Sequence, residues 1–441
     1  MRRTARLGTG KPLDEIALDP SALERIADAG IAKAVRYAYA NSSFYKKRFD
    51  SDGVRPSAVK SALDLQRIAP MTKADLACEG ERLWCVPRER VADIVTTSGT
   101  TGVPLLHPMT EADVARLGYN EFLSFTCAGL TKDDTVLLAV TMDKCFIAGL
   151  AYYEGLRRLG AATVRVGSGS PVMLLSMLER LGATAIVSVP SFLKRVAEYA
   201  DERGIDLAHS TVRRLVCIGE PVRTADFQLN ALGGRIASAW GAKVYSTYAA
   251  TEFATSFCEC EAGTGGHLHP ELLYVEILDD EGRGVPDGEV GEVTITTFGV
   301  EAMPLVRFRT GDCTFITRER CSCGRWTPRL GPIVGRRNQM LKIKGTTVYP
   351  AAVQNVLDAM DEVTDYVMIA TSPTVLSDQL EVVAVVKGDH ERVLRAMREN
   401  LQGALRVTPS VRIAPGEEVA RLQEADSYRK KRIFIDQRAG R

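Results

Sequence analysis

The chain has 441 residues, and its 56 basic side chains almost balance its 55 acidic ones. A net charge this close to zero gives no sign of a protein that binds nucleic acid or a membrane surface, so we expect neither partner. The hydrophobic share of 45% and the charged share of 25% are those of a soluble globular protein long enough for two or three domains.

Two further features concern the compartment. No apolar run is long enough to cross a bilayer, and the basic start Met1–Thr4 is not followed by the apolar segment of a signal peptide. Ten cysteines in a chain of this length do not make a disulfide scaffold, so they should be free thiols or metal ligands. We therefore expect a cytoplasmic protein.

The first 250 residues show helical patterns and then an alternation of strands and helices. Apolar residues recur at helical spacing from 21 to 50, and the β-branched segment Val91–Thr97 is typical of a strand. From 91 to 250 the alternation predicts parallel β-α-β units with helices on both faces, whose strand-end loops can converge on a ligand. The further predicted strands are Thr135–Val140, Ala162–Val166, Ala185–Val189 and Arg214–Ile218.

After Cys260 the pattern changes to short alternating strands, which predicts a β-rich subdomain over about 260–335. Beyond Gly335 a second unit offers strands at 340–343, 365–370, 379–386 and 411–413, with helices at 351–360 and 390–402. The expected fold is an α/β large N-terminal domain, residues 1–335, that includes the β-rich subdomain. A hinge should join it to a small α+β C-terminal domain, residues 336–441.

One loop carries the first functional signal. The strand ending at Thr97 runs into a loop of hydroxyls and glycines, which consists of Ser98, Gly99, Thr100, Thr101 and Gly102. Glycines let the backbone approach a ligand, and successive N–H groups form an anion site, so the loop can wrap a polyphosphate. It lacks the spacing and the lysine of a Walker A loop. Taken alone, the stretch could equally be an ordinary polar turn.

Four further stretches follow in a fixed order. They are Tyr248-Ala249-Ala250-Thr251-Glu252, Arg309-Thr310-Gly311-Asp312, Gly335-Arg336-Arg337-Asn338, and Lys342-Ile343-Lys344-Gly345 with Tyr349-Pro350. Together with the loop they resemble the motifs of the adenylate-forming superfamily of acyl-CoA synthetases and luciferases. Within it the chain is most similar to the phenylacetate-CoA ligase family, over nearly the whole length from Tyr45 through Met71-Thr72-Lys73 to the C-terminal basic segment.

The resemblance implies an enzyme that activates a carboxylic acid with ATP. A thiol cannot displace oxide from a carboxylate at a useful rate, so the acid is first joined to AMP as a mixed anhydride and then passed to coenzyme A. Such an enzyme must hold ATP, carboxylate and Mg²⁺ in line and neutralise their charge.

In this reading Glu252 is the Mg²⁺ ligand, because a hard dication prefers carboxylate and phosphate oxygens. Thr251 would bond the α-phosphate, and Tyr248 would stack near the adenine, downstream of the strand-end turn Gly219-Glu220-Pro221 that we also assign to the nucleotide site. The alternative is a surface glutamate after a strand. Ala249 stands where the family usually has glycine, and its methyl group narrows the expected carboxylate site.

The resemblance also assigns residues near the hinge and the C-terminus. Asp312 would accept both ribose hydroxyls, unless it is a simple turn residue, and Arg336 would reach the ribose or a phosphate. Asn338 occupies a hinge position that is usually acidic in the family. Either Lys430 or Lys431 would bridge the carboxylate and the α-phosphate, with a solvated basic tail as the alternative.

Two other positions bear on affinity and substrate. Val103 stands where the family often has lysine, which predicts weaker ATP affinity with the backbone cradle kept. The expected acyl pocket is a hydrophobic slot closed by an aromatic ring, which suits a flat aryl acid. Its predicted lining is Phe146, Gly149, Ser188, Pro190 and Ala249.

A separate group of soft ligands lies in the β-rich section. Cys260, His267, Cys321 and Cys323 supply enough ligands for a four-coordinate structural zinc, with Cys258 in reserve. Glycine after the last cysteine is usual in knuckle turns. Unconnected thiols beside a surface histidine are the alternative.

These observations lead to one expected function and two alternatives. We expect an ATP-dependent ligase that forms an aryl or arylacetyl adenylate and transfers the acyl group to coenzyme A. A homodimer is one open option for its assembly. An adenylate-forming enzyme that uses an amine or another nitrogen acceptor is favoured by Val103, Ala249 and Asn338. A non-catalytic nucleotide-binding protein is the third alternative, which Glu252, Asp312 and a C-terminal lysine argue against.

Overall fold

Two helices begin the main body of the chain. The computed structural model describes residue 15 and residues 17–97, 105–343, 346–374, 377–424 and 432–438. The single helix expected from 21 to 50 is two helices, α1 (Pro20–Asn41) and α2 (Ser43–Ser51), because Ser42 is extended and its hydroxyl caps α2. Two short helices follow, α3 (Ala62–Leu65) and α4 (Lys73–Glu79).

The strand before the predicted phosphate loop belongs to a separate hairpin. β1 (Asp93–Thr96) pairs antiparallel with β2 (Leu106–Met109), and Val95 lies opposite His107. Our expectation that this strand belongs to the parallel β-α-β units is therefore wrong. The apolar segment just beyond the loop is a nearer partner than any strand of the sheet, and closing a short loop costs little entropy.

The main sheet has six strands in the order β4-β3-β5-β6-β7-β8. β3 to β7 run parallel, and β8 is antiparallel to β7. This arrangement confirms the α/β expectation. The strands are β3 (Thr135–Ala139), β4 (Ala162–Arg165), β5 (Ala185–Ser188), β6 (Arg214–Ile218), β7 (Lys243–Ala250) and β8 (Thr255–Cys258). The helices of this section are α5 (Glu111–Cys127), α6 (Ile147–Leu159), α7 (Pro171–Leu181), α8 (Pro190–Asp201) and α9 (Ala231–Trp240).

The β-rich section forms small sheets of short strands. β10 pairs antiparallel with β11, and β12 lies on the other side of β11. Three two-residue strands form a second sheet in the order β13-β14-β9. The strands are β9 (Gly266–His267), β10 (Leu273–Leu278), β11 (Gly291–Thr297), β12 (Phe308–Thr314), β13 (Ile316–Thr317) and β14 (Arg329–Leu330).

The chain divides into two compact units. The first comprises residues 1–229, 233–310 and 314–333, and the second comprises 230–232, 311–313 and 334–441. In the second unit a four-stranded sheet in the order β20-β19-β18-β21 packs with helices around Val353, Met397 and Leu401. Its elements are β15 (Gly335–Arg336), β16 (Leu341–Ile343), β17 (Thr346–Val348), α10 (Pro350–Asp358), β18 (Val363–Thr374), β19 (Ser377–Val386), α11 (His390–Leu405), β20 (Ser410–Ile413), α12 (Gly416–Gln423) and β21 (Phe434–Asp436). Across the described ranges, no helix is long and apolar enough to cross a membrane.

Helix α5 is anchored by buried charged side chains. Asp113 caps its first turn, accepts from Thr110 N and also accepts from the backbone N–H groups of Glu301 and Ala302. The Arg116 guanidinium donates to three carbonyl oxygens and a hydroxyl. These bonds join α5 to the turn before β8 and to the ends of β10 and β11.

Helices α5 and α6 cross at two glycines. A Cβ added at Gly155 would lie 2.3 Å from Glu121 Cβ, and one added at Gly118 would lie 3.0 Å from Glu154 Cβ. The backbones of the two helices can approach this closely only because neither position has a side chain.

We predict that G155A destabilises the protein by about 1–3 kcal/mol, because the new methyl group forces α6 away from α5. Urea unfolding followed by circular dichroism measures the change. G234A is the matched control, since a Cβ there meets nothing within 4 Å. This helical substitution should leave stability unchanged or raise it by about 0.4–1 kcal/mol. Equal stability of G155A and wild type would contradict the close crossing.

Candidate functional site

The carboxyl edge of the main sheet collects the loops that follow β3, β5, β6 and β7. Parallel strands end at one edge, so these loops are neighbours. The three-residue helical turn Thr251–Phe253 follows β7 directly. Tyr248 and Ala249 lie inside β7, whereas we expected them in the turn that follows a strand. The side chain of Ala249 is exposed, so its methyl group faces open space at the strand end.

Glu252 is a buried carboxylate, only 6% exposed, at this edge. Its Oε1 lies 3.0 Å from Lys73 Nζ, and Lys73 is the first residue of α4. Lys73 belongs to the segment Met71-Thr72-Lys73 that resembles the family, but its pairing with Glu252 was not predicted. A signal was available, because Thr72 and Asp75 form a capping box that aims the first turn of α4. The buried carboxylate of Glu252 is therefore already paired with the ammonium group of Lys73.

Aromatic rings support the turn that carries Glu252. The Tyr248 ring stacks on Phe257 with centroids 5.9 Å apart and packs against Phe253 at the same distance. Tyr248 itself is half-buried.

The turn after β6 is engaged with the next helix. Glu220 Oε2 accepts from Ser191 N, and Glu220 Oε1 accepts from Ser191 Oγ, both at 2.8 Å. Helix α8 has no side-chain cap of its own, so this carboxylate satisfies its N-terminus. Gly219 has a φ of +72°, which glycine adopts without strain, and Pro221 is exposed.

The residues predicted to line the acyl pocket occupy the starts of α6 and α8. Phe146 is half-buried just before α6, and Gly149 is buried against the backbone of the preceding turn. A Cβ at Gly149 would lie 2.3 Å from Thr141 O, so α6 can dock there only with glycine. Ser188 ends β5 and is fully buried, while Pro190 opens α8.

The second unit brings two predicted nucleotide ligands together. Asp312 of β12 lies opposite Arg336 of β15, and Arg336 Nε donates to Asp312 Oδ1 at 3.2 Å. Gly311 has a φ of +82° within a strand, where other residues would be strained. The predicted hinge residue Asn338 lies in a helical turn, and its carbonyl accepts from the buried Arg438 at 2.8 Å. Sequence reasoning missed Arg438.

Several predicted residues fall outside the part of the chain that the structure describes. They are the loop residues Ser98, Gly99, Thr100, Thr101, Gly102 and Val103, the motif residues Lys344 and Gly345, and the C-terminal Lys430 and Lys431.

His107 is a buried residue of β2 that was not singled out from the sequence. It is 2% exposed, and neither ring nitrogen has a hydrogen-bond partner among the described residues. Burial lowers the pKa of His107 to about 4, although Asp113 and Glu252 lie near enough to oppose the shift. The imidazole is therefore neutral at physiological pH, and leaving such a group unpaired costs about 1–3 kcal/mol.

Four predicted metal ligands converge in the β-rich section. One ligand atom from each of Cys260, His267, Cys321 and Cys323 lies within 4.8 Å of all the others. Cys260 Sγ and Cys321 Sγ are 3.6 Å apart, close to the ~3.8 Å between two thiolates on a tetrahedral zinc. The reserve ligand Cys258 lies outside the group, and its sulfur accepts from the Thr247 hydroxyl.

The surroundings of these four residues suit a metal ion. His267 Nδ1 is 2.7 Å from Thr327 Oγ1, which leaves Nε2 turned towards Cys323 Sγ at 3.5 Å. Burial lowers the pKa of His267 to about 3, so its imidazole is neutral and able to ligate. Burial raises the pKa of Cys323, but hydrogen bonds from Arg325 outweigh this effect and hold the pKa below its usual value.

A buried polar chain continues from this group into the core. Arg325 donates from Nη1 to Cys323 Sγ and from Nε to Glu15 Oε2, and Glu15 Oε1 lies 2.9 Å from His269 Nδ1. The chain then passes through Ser124 and Ser256 to Glu121 on α5. Sequence patterns carried no signal for this network, because its members come from five separate segments.

The fold and the site define a class of protein, the AMP-binding, adenylate-forming enzymes. A family model described as "AMP-binding enzyme" matches residues 20–302, and the chain belongs to that family. Within it the chain is similar to phenylacetate-CoA ligases and is an ATP-dependent acid–CoA ligase.

Individual relatives support this assignment. The phenylacetate-coenzyme A ligase of Thermus thermophilus is 30% identical, over 88% of this chain and 92% of that protein. The enzyme of the same name from Escherichia coli is 26% identical over 85% of each. A 2-hydroxyisobutyryl-CoA ligase structure in the postadenylation state matches with a TM-score of 0.84 and 23% identity, over 97% of this chain and 94% of that one, which shows the fold.

We predict a pH-dependent stability from Glu121, which is 3% exposed. Burial raises its pKa from the usual 4.5 to about 7, despite hydrogen bonds from Ser256 and Asn120. A folded-state pKa above the unfolded one gives stability that is full below pH 4.5 and is lost as the pH rises through 7. Wild type should thus lose up to about 3 kcal/mol relative to E121Q between pH 5 and pH 8.

Urea unfolding of both proteins across this pH range measures the difference. E154Q, on the facing helix and half-buried, is the control and should follow the wild-type profile. Parallel profiles for wild type and E121Q would show that Glu121 is already ionised in the folded protein.

Proposed function

We propose that this protein activates an aryl or arylacetic acid as an acyl-adenylate and transfers the acyl group to coenzyme A. The observation that carries the proposal is the similarity to phenylacetate-coenzyme A ligases across 88% of the chain, combined with a buried carboxylate at the strand edge. The half-buried Phe146 supports a planar substrate, because its ring offers a flat apolar surface.

Contacts at the sheet edge support a shared site for acid and nucleotide. Val95, Ile147 and Ala254 belong to one buried cluster. This cluster joins the hairpin strand β1, the first residue of α6 beside Phe146, and the turn that carries Glu252. An acid held near Phe146 would therefore lie close to a metal and nucleotide held near Glu252.

Glu252 is the residue we assign to Mg²⁺. Its donor type fits a hard dication, and the ion pair with Lys73 supports a position where positive charge is stabilised. A bound Mg²⁺ supplies charge neutralisation at the phosphates of ATP. Glu252 would then turn from Lys73 towards the metal.

The remaining roles concern nucleotide binding and the C-terminal lysines. Thr251, next to Glu252, would donate to the α-phosphate, and Tyr248 would stack near the adenine. Asp312 would accept the ribose hydroxyls while Arg336 orients it through their 3.2 Å contact. The turn of Gly219 and Glu220 would border the nucleotide, and a lysine at 430 or 431 would complete the adenylation site.

Pyrophosphate release with a panel of acids tests the proposal, with and without coenzyme A. The panel contains benzoic, hydroxybenzoic, phenylacetic and 2-hydroxyisobutyric acids. Aryl or arylacetic acids should give the fastest release, and coenzyme A should be consumed as thioester. If activity requires an amine in place of coenzyme A, the protein is an amide-forming enzyme and not a coenzyme A ligase. Nucleotide binding without turnover of any acid would make it a non-catalytic protein.

We predict that E252Q lowers pyrophosphate release by at least about 100-fold, because it removes metal charge compensation without changing side-chain volume. The exposed Glu289 provides the matched control E289Q, which should keep wild-type activity. Circular dichroism should show both variants folded. Wild-type turnover by E252Q would remove the metal assignment.

We further propose that Cys260, His267, Cys321 and Cys323 bind a structural zinc. Four protein ligands leave no open position for chemistry, so the metal would stabilise the fold. The hydrogen bond between His267 Nδ1 and Thr327 supports this proposal, since it leaves Nε2 free for the metal.

The expected content is about one zinc per chain in protein purified without chelators. C321S should lose the metal and at least about 2 kcal/mol of stability, a fall of several degrees in Tm. C78S, at an exposed cysteine outside the group, should keep both. Elemental analysis and thermal melting give the two readings. Metal-free wild-type protein, or full stability without metal, would contradict the structural role.

A further inference from the structure

His107 shares a face of the β1–β2 hairpin with residues that touch the Glu252 turn. It lies directly opposite Val95 in the antiparallel register, and Met109 is two residues further along the same strand. Residues directly opposite, and residues two apart, point to the same face of a hairpin. Val95 and Met109 pack in one buried cluster with Ala254, which lies two residues after Glu252. His107 therefore faces the turn that carries Glu252.

The imidazole is buried but has no hydrogen-bond partner within the described ranges. A neutral imidazole has one N–H donor and one acceptor, and proteins rarely bury such groups unpaired. A leucine or methionine would fill the same space without an unpaired polar atom. Buried polar groups that cost stability are expected mainly where function uses them.

The charged side chains near His107 are Asp113, Arg116 and Glu252. Asp113 already accepts from three backbone N–H groups. Arg116 already donates to three carbonyl oxygens and the Thr255 hydroxyl. Neither needs a further partner. Glu252 has an ion pair to Oε1 alone within the described residues, which leaves Oε2 for a donor.

We propose that His107 is a positioning residue for Glu252, whose imidazole N–H donates to the Glu252 carboxylate when the metal–nucleotide complex binds. This inference rests on the proposed function, in which Glu252 leaves Lys73 to bind Mg²⁺. The hydrogen bond holds one carboxylate oxygen and so orients the other towards the metal. Partners of this kind orient metal-binding carboxylates in many proteins, and their loss typically lowers metal affinity or activity 10- to 100-fold.

The test compares H107Q and H107M, because glutamine and methionine have similar length and only glutamine can donate a hydrogen bond. Calorimetric titration with Mg²⁺ in the presence of a non-hydrolysable ATP analogue measures metal affinity without knowledge of the acid. M109L, an apolar change on the same face of the hairpin, controls for packing. E252Q shows which part of the calorimetric signal comes from Mg²⁺ bound at Glu252. If H107M does not fold, H107L takes its place.

We expect H107M to weaken Mg²⁺ binding by about 10- to 100-fold while H107Q and M109L stay near wild type. H107M should also melt at a higher temperature than wild type, because it removes an unpaired buried polar group. A residue with a purely structural role would not change metal affinity and thermal stability in opposite directions.

Three outcomes overturn the inference. Wild-type Mg²⁺ affinity in H107M shows that the imidazole does not act on Glu252. Equal weakening in H107M, H107Q and M109L assigns the effect to packing. If wild type shows no Mg²⁺-dependent binding that E252Q removes, the metal assignment fails together with the role of His107. In the first outcome, by contrast, E252Q still removes the binding, so only the role of His107 fails.

Discussion

The buried guanidinium of Arg116 ties together the segments around the sheet edge that carries Glu252. It donates to Ala254 O, Leu272 O and Phe298 O, and these carbonyl groups come from three separate segments. Burial lowers the pKa of Arg116 to about 10, so the side chain remains charged at neutral pH. Removing one partner of such a buried charge typically costs about 3–5 kcal/mol. The position of Glu252, two residues before Ala254, therefore depends on this arginine.

Near Arg116, the sheet edge that carries Glu252 contains polar groups that are not fully paired within the described residues. Glu252 is buried with one oxygen facing Lys73, and His107 lies on the neighbouring hairpin face without a partner. Burial strengthens every electrostatic interaction at such a site, because little water screens it. In contrast, Asp113 and Arg116, which hold the backbone, have all their partners. The charged groups that hold the backbone are fully paired, whereas Glu252 is paired through one oxygen only and the neutral His107 has no partner within the described residues.

The β-rich section contains very short strands that need additional stabilisation. β9, β13 and β14 have two residues each, and strands this short contribute little stability on their own. His267 of β9 lies opposite Arg329 of β14. The other three soft ligands lie close to it, with Cys260 just before β9 and Cys321 and Cys323 between β13 and β14. A bound metal would join residues about sixty positions apart. It would add to the burial of Ile316 and Leu330, which already place β13 and β14 against the hydrophobic core. Arg325 and Glu15 extend the same group into the core beneath α5.

The sequence by itself determined the class of fold, the family and the four residues of the candidate metal site. Strand and helix periodicity depends on local backbone geometry, so Arg214–Ile218 was predicted at its observed bounds. The ordered motifs around Glu252 and Asp312 identified the family, because several motifs in one fixed order along the chain rarely occur together by chance. Cys260, His267, Cys321 and Cys323 could be grouped because metal ligands are few and chemically distinct.

Only the tertiary structure decided which residues share an environment. Lys73 and Glu252 are far apart in sequence, and no local pattern predicts that their side chains meet. β1 pairs with β2 and not with a strand of the main sheet. Strand propensity does not predict this choice, because pairing depends on which partner strand is near. His107 was invisible as a site residue because a lone histidine in an apolar strand differs from a paired one only in its neighbours. Burial and hydrogen bonding are properties of the packed chain, and composition and spacing do not contain them.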